Sequence, residues 1–140
     1  MGGGAFVRRC EHILVFFIGG TGYGLCELLW RGYTHPTMFL LGGVCFLCLY
    51  TGNKRFFSLP FVIRCICGGA VITSLELVTG CIVNILLGMN VWDYSNMPLN
   101  LYGQVCPRFL LAWILLCIPA LFLCGKLAQF FGYTNMKKSP

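Results

Sequence analysis

Thr73, Glu76, Gly80 and Asn84 recur at spacings of three, four and four residues within an otherwise apolar run, so they share one stripe of one helix. A charged side chain in hydrocarbon costs roughly 3 kcal/mol or more, which leaves a carboxylate such as Glu76 two reasons to be there: it is paired, or it binds and releases something. The chemistry on offer is uptake of a proton, a cation or a small polar solute. Gly20, Gly24, Glu27 and Arg31 form a second stripe of the same kind, in which Glu27 and Arg31 can pair one turn apart and Gly20-x-x-x-Gly24 permits close helix approach. If the two stripes face each other, Glu27, Arg31, Glu76 and Asn84 surround one polar site near the outer half of a bilayer. The alternative is interhelical adhesion, in which such groups hold a bundle together at under about 1 kcal/mol each and move nothing. Arg108 is the most attractive long-range partner for Glu76, whereas Arg64, close to Lys54 and Arg55, is expected to snorkel toward headgroups.

Beyond this stripe, Asp93, Ser95, Asn96 and Asn100 interleave short hydrogen-bonding side chains with Met97, Pro98, Leu99 and Leu101. That pattern suits a non-helical segment folded back onto the bundle, which membrane depth tolerates only where protein or water satisfies the backbone. Asp93 caps the segment by accepting from the Ser95 or Asn96 amide, or pairs with Arg108. Trp92, Tyr94 and Tyr102 suit the aromatic belt at a membrane interface.

Other chemistries find little support. His12 and His35 lie apart, so no His/Cys or metal triad suggests itself and an enzyme is not expected. Of ten cysteines, Cys26, Cys45, Cys48, Cys65, Cys67, Cys81, Cys117 and Cys124 fall within apolar runs and are read as packing residues. Cys45-x-x-Cys48 lacks the second pair a zinc site requires, and Cys106 is the cysteine expected to reach an oxidising face. No cofactor or metal is expected. No G-x-x-x-x-G-K-[ST] loop occurs, so any ATPase would be a separate chain.

The elements that must position these residues are membrane helices. With 58% hydrophobic and 10% charged residues and a mean hydropathy of +0.80, the chain has too little polar surface for a water-soluble domain. The expected fold is an all-α integral membrane protein, a single transmembrane domain over residues 1–140, with four transmembrane helices and a structured outward loop between the third and fourth. Against a hydrocarbon core needing about 20 helical residues, the spans read Ile13 to Trp30, Met38 to Tyr50, Phe57 to Gly88 and Phe109 to Phe131. The second is short unless it starts at Thr34, leaving a re-entrant element as the other reading; the third is long and implies tilt. Ser58 reads as the third helix's N-cap with Pro60 in its first turn, Pro36 and Pro107 stand at helix starts, and Pro119 lies inside the fourth span.

Arg8 and Arg9, then Lys54 and Arg55, then Lys126, Lys137 and Lys138 mark three segments expected on one side, which places both termini in the cytoplasm and loops 31–37 and 89–104 outward. The first span resembles a signal peptide but lacks an A-x-A site and reads as uncleaved, and Phe6 excludes a myristoylation signal. The net charge of +6 fits this topology and contact with anionic lipid, with no nucleic-acid partner expected.

Glu76-x-x-x-Gly80, Trp92-Asp93-Tyr94-Ser95, Pro98-Leu99-Asn100 and Gly103-x-x-Cys106 together resemble the signature of the bacterial CmpB-like ABC-transporter type IV membrane proteins. Gly24-x-x-Glu27 and Arg31-Gly32 resemble that family's first-helix glutamate and following turn, so the likeness runs from about Gly22 to Trp113. The chain looks like a short member. Where many relatives carry Gly-Arg-Ile-Cys, it carries Gly103-Gln104-Val105-Cys106, with Arg108 in a position to supply the displaced charge. The resemblance implies a multipass permease-like protein of the bacterial plasma membrane. The two functions it leaves open are a transporter or channel subunit, oligomeric because four helices enclose little volume, and a non-transporting membrane partner. In the first, the solute or ion path comprises Glu27, Arg31, Glu76, Asn84, Asp93, Tyr94, Ser95, Asn100 and Arg108.

Overall fold

In the computed structural model, residues 3–133 are described; the expected basic pair Lys137 and Lys138 lies outside them. Four helices carry the chain: α1 (Gly3–Arg31), α2 (Pro36–Arg55), α3 (Phe61–Gly80), which continues as a π-helical turn (Cys81–Leu86), and α4 (Pro107–Phe130). Each is long and apolar enough to cross a membrane, and no strand is present among the described residues. The chain is a multipass membrane protein with an all-helical fold.

Several helix ends differ from expectation for local reasons. α1 begins well before Ile13 and takes in Arg8, Arg9, Glu11 and His12, because nothing after the first glycines interrupts a helix there. α2 is a full 20-residue helix, so no re-entrant element is needed. His35 caps it by accepting from the Thr37 amide at 3.3 Å, and Pro36 takes the first-turn position where a missing N–H does no harm. The cap residue of α3 is Pro60, whose fixed φ of −51° and ψ of 140° set the entry without a side-chain hydrogen bond; Ser58 does not cap. α4 runs through Pro119, which leaves the Leu115 carbonyl without its usual amide donor.

The chain forms two compact units. The first comprises the described residues up to Ser58 together with those from Phe122. In it α1 and α2 approach closely through paired glycines. A Cβ on Gly19 would fall 2.7 Å from the Gly42 carbonyl oxygen, and one on Gly43 would enter the Phe16 ring at 2.6 Å. Gly20 faces Phe39 in the same way, but Gly24 meets only Thr34 at an ordinary 3.8 Å, so Gly19-Gly20 against Gly42-Gly43, rather than Gly20-x-x-x-Gly24, makes the close approach. Phe16, Phe17 and Phe39 pack edge-on around this crossing.

The second unit spans Leu59–Leu121. Here Gly69 admits Ile114 of α4, which a Cβ would meet at 2.4 Å. The Leu87 amide reaches the Ile82 carbonyl at 2.9 Å and the Met89 amide reaches Val83 at 3.0 Å, so the end of α3 is underwound to a wider turn before Gly88 (φ +64°) releases the chain.

Candidate functional site

The stripe expected on α3 is buried in the second unit. Glu76 is 1% exposed, and its Oε2 accepts the Trp113 indole N–H of α4 at 2.7 Å. Thr73, one turn earlier, has a buried hydroxyl oxygen with no hydrogen-bond partner. One turn later, Gly80 leaves room for the Gln104 side chain, whose Oε1 would lie 2.4 Å from any Cβ there. Gln104, buried in turn, connects to Asn84: the Asn84 Nδ2 donates to Gln104 Oε1 at 2.7 Å. Helical spacing therefore gives an unbroken polar line from Thr73 to Asn84 that meets Trp113 and Gln104 from the other side.

Asn84 holds the segment that follows. Besides Gln104, its Nδ2 donates to the Trp92 carbonyl at 3.0 Å and its Oδ1 accepts from the Val91 amide at 2.7 Å, so the whole carboxamide is engaged. Trp92, 5% exposed, donates its indole N–H back to the Gln104 carbonyl at 3.0 Å. It is a buried bracket and not a member of an interfacial belt; Tyr102, which is exposed, retains that possibility.

Asp93, Ser95 and Asn100 organise the tip. Asp93 Oδ1 accepts from the Ser95 amide at 2.8 Å and the Ser95 hydroxyl at 2.5 Å, which hold its carboxyl below the usual aspartate range. This is the local capping alternative; Arg108 is exposed at the start of α4 and forms no ion pair with Asp93 among the described residues. Nor is Arg108 the group found on Glu76, where the Trp113 donor stands. Asn100 Nδ2 donates to the Ser95 and Met97 carbonyls at 3.1 and 2.8 Å, and its Oδ1 accepts from the Gly103 amide at 2.9 Å. Leu99 (φ 56°) and Tyr102 (φ 53°) flank it in the left-handed region that side chains rarely adopt. Gly103 (φ +68°) must be glycine twice over, since a Cβ would also fall 2.5 Å from the Ser95 hydroxyl. Tyr94 stacks on Phe109 at 4.4 Å between ring centres. Cys106, expected to be accessible, is buried beneath this fold.

Glu27 and Arg31 belong to the first unit, whereas Glu76, Asn84 and the Asp93 segment belong to the second. Arg31 bonds Glu27 at 2.5 Å, the Thr34 hydroxyl donates to the same carboxylate at 3.0 Å, and Arg31 lies over the Tyr33 ring at 4.8 Å. This closed pair also fixes the turn into α2.

The first unit contains a second polar cluster that sequence spacing does not reveal. Glu11 is 1% exposed and accepts from the Tyr50 hydroxyl at 2.5 Å, Lys54 Nζ at 2.7 Å and the Tyr133 hydroxyl at 3.2 Å. The Lys54 ammonium lies between the Tyr50 and Tyr133 rings, 4.4 and 4.1 Å from their centres. Its partners stand 39, 43 and 122 residues away, so no local signal exists. The cluster brings the early part of α1, the last turn of α2 and the residues just past α4 to one end, as the lysine and arginine distribution implies.

Among the described residues no group of three metal-ligating side chains converges, and Cys45 is buried while Cys48 is exposed. The model of the family described as Putative ABC-transporter type IV matches residues 14–137. No curated protein and no solved structure matches the chain.

Proposed function

Because the chain belongs to the ABC-transporter type IV, CmpB-like family, we propose that it is the membrane-embedded subunit of a transport assembly in which Glu76 takes up and releases a cation or proton. The observation that carries this reading is the Glu76 carboxylate, 1% exposed within an apolar span, with a buried Thr73 hydroxyl that has no hydrogen-bond partner one turn away. A carboxylate so placed gains from binding a positive charge, and the spare hydroxyl offers that charge a second oxygen. Asn84, Asp93, Tyr94, Ser95, Asn100 and Arg108 then frame the outward approach to Glu76, and Glu27 with Arg31 forms a further polar station on α1. The protein is non-enzymatic, resides in the bacterial inner membrane with cytoplasmic termini, and works as a homo-oligomer or with another membrane subunit; an ATPase, if coupled, is a separate chain.

A second reading, a non-transporting structural or regulatory partner, is favoured by one observation: Asn84 with Gln104, and Asp93 with Ser95, satisfy one another internally. Liposome reconstitution separates the two. Proton or solute flux in the wild type that is lost in Glu76→Gln supports transport. Flux absent from the wild type over a broad solute panel, or unaltered by the substitution, removes it. Native mass spectrometry showing a stoichiometric foreign subunit and no bound solute would favour the second reading.

A further inference from the structure

We propose that the end of the first unit built around Glu11 is a docking surface for anionic phospholipid headgroups. The acidic residues of the chain are Glu11, Glu27, Glu76 and Asp93, and at this end the carboxylate is withdrawn: Glu11 is buried and neutralised by Lys54. What remains outside is basic. Arg8 and Arg9 lie within one turn of Glu11 on α1, Arg55 follows Lys54, and Lys126 stands on α4 before Tyr133; all four are exposed. The contacts of Tyr50, Lys54 and Tyr133 with Glu11 gather these cations from three segments onto one end, so the cluster acts as the positioning element and the exposed cations as the binding face.

A bilayer fits this face better than an acidic soluble protein. Exposed apolar side chains adjoin these cations: Phe6 and Val7 precede Arg8 on α1, Phe56 lies 5.9 Å from the Arg55 guanidinium, and Phe130 stands one turn after Lys126 on α4. Cations placed against apolar side chains at the ends of membrane-crossing helices match a surface of charge above hydrocarbon, where guanidinium groups meet phosphate and the aromatic rings meet the acyl boundary. The surface is independent of any transport role for Glu76.

The test uses the full chain in mild non-ionic detergent, titrated with phosphatidylglycerol or phosphatidylcholine and read by native mass spectrometry and by the thermal midpoint. Preferential retention of phosphatidylglycerol with a raised midpoint is expected. Each substitution among R8Q, R9Q, R55Q and K126Q should lower the preference about fivefold, and the quadruple variant should abolish it. Inorganic phosphate at matching concentration should not reproduce the stabilisation, which separates a headgroup at a bilayer face from a free anion site. Equal retention of the two lipids, or a preference that survives the quadruple substitution, overturns the proposal, as does an acidic protein displaced by these substitutions without any lipid preference. Should the quadruple variant not fold, R55Q and K126Q, which lie outside the α1–α2 glycine crossing, give the same readout singly.

Discussion

The side-chain amides of Asn84 and Gln104 meet at 2.7 Å across twenty residues of chain and close the segment between them onto the end of α3. Their bond lies at the centre of a set that also holds the Trp92 carbonyl and the Val91 amide. Replacing Asn84 by alanine removes at once the acceptor of the Val91 amide and the donor to both the Trp92 carbonyl and Gln104 Oε1. At about 1–3 kcal/mol for each unsatisfied group, the variant should lose several degrees of thermal midpoint and expose residues 90–105 to proteolysis. A variant as protease-resistant as the wild type would show that the segment is held by something else.

Gly80 and Gln104 form a coupled pair. Gly80→Ala drives a methyl group into the Gln104 side chain and should destabilise by about 1–3 kcal/mol, the usual cost of overpacking. Shortening the obstacle should recover much of that loss, so Gly80→Ala combined with Gln104→Ala is expected to be milder than the two losses summed. Strict additivity in chemical denaturation would mean that the two residues do not press on each other.

For Glu11 the prediction rests on burial. Glu11→Gln leaves Lys54 between two tyrosine rings without its counter-ion; because Lys54 is 20% exposed, the loss should fall below the ~3–5 kcal/mol of a fully buried pair. Adding Lys54→Met removes the stranded charge, and the double variant should regain most of the stability. If the single variant unfolds at the wild-type midpoint, the cluster does not hold the first unit.

Asp93 gives a pH signature of definite sign. Its carboxyl, exposed in the segment outside the spans, has a pKa below the reference of 3.8 because Ser95 donates to its charged form. A group whose pKa is lower folded than unfolded adds stability above its unfolded value and surrenders it as pH falls through the folded value. The segment should therefore be indifferent to pH across the neutral and mildly acidic range and loosen only below about pH 4. The Ser95 amide resonance should titrate with a midpoint under 3.8 in the wild type and lose that transition in Asp93→Asn; a midpoint above 3.8 would contradict the assigned bonds.

The parts that were legible in the sequence are those fixed by a period or a local restraint. Thr73, Glu76, Gly80 and Asn84 lie on one buried line because 3.6 residues make a turn, and Pro36 and Pro107 mark helix starts because their geometry permits little else. The Asp93–Ser95 cap likewise follows from turn chemistry. What sequence could not reveal depended on distant partners. Trp113 and Gln104 reach α3 from across the second unit, and Glu11 draws no notice in the sequence because its partners stand far down the chain. The four-residue spacing of Gly20 and Gly24 suggests a crossing that adjacent pairs make instead, since two consecutive glycines on each helix allow the backbones themselves to meet.

The wide turn over Cys81–Leu86 is equivalent to an α-helix into which one extra residue has been accommodated without breaking the chain. Removing any one residue from it would restore ordinary i→i−4 pairing and absorb the widened turn, so the chain beyond the deletion would keep nearly its present direction. The turn is therefore a slack loop in the helix, taking up the one residue by which the stripe bearing Glu76 and the segment bearing Asp93 would otherwise fall out of step.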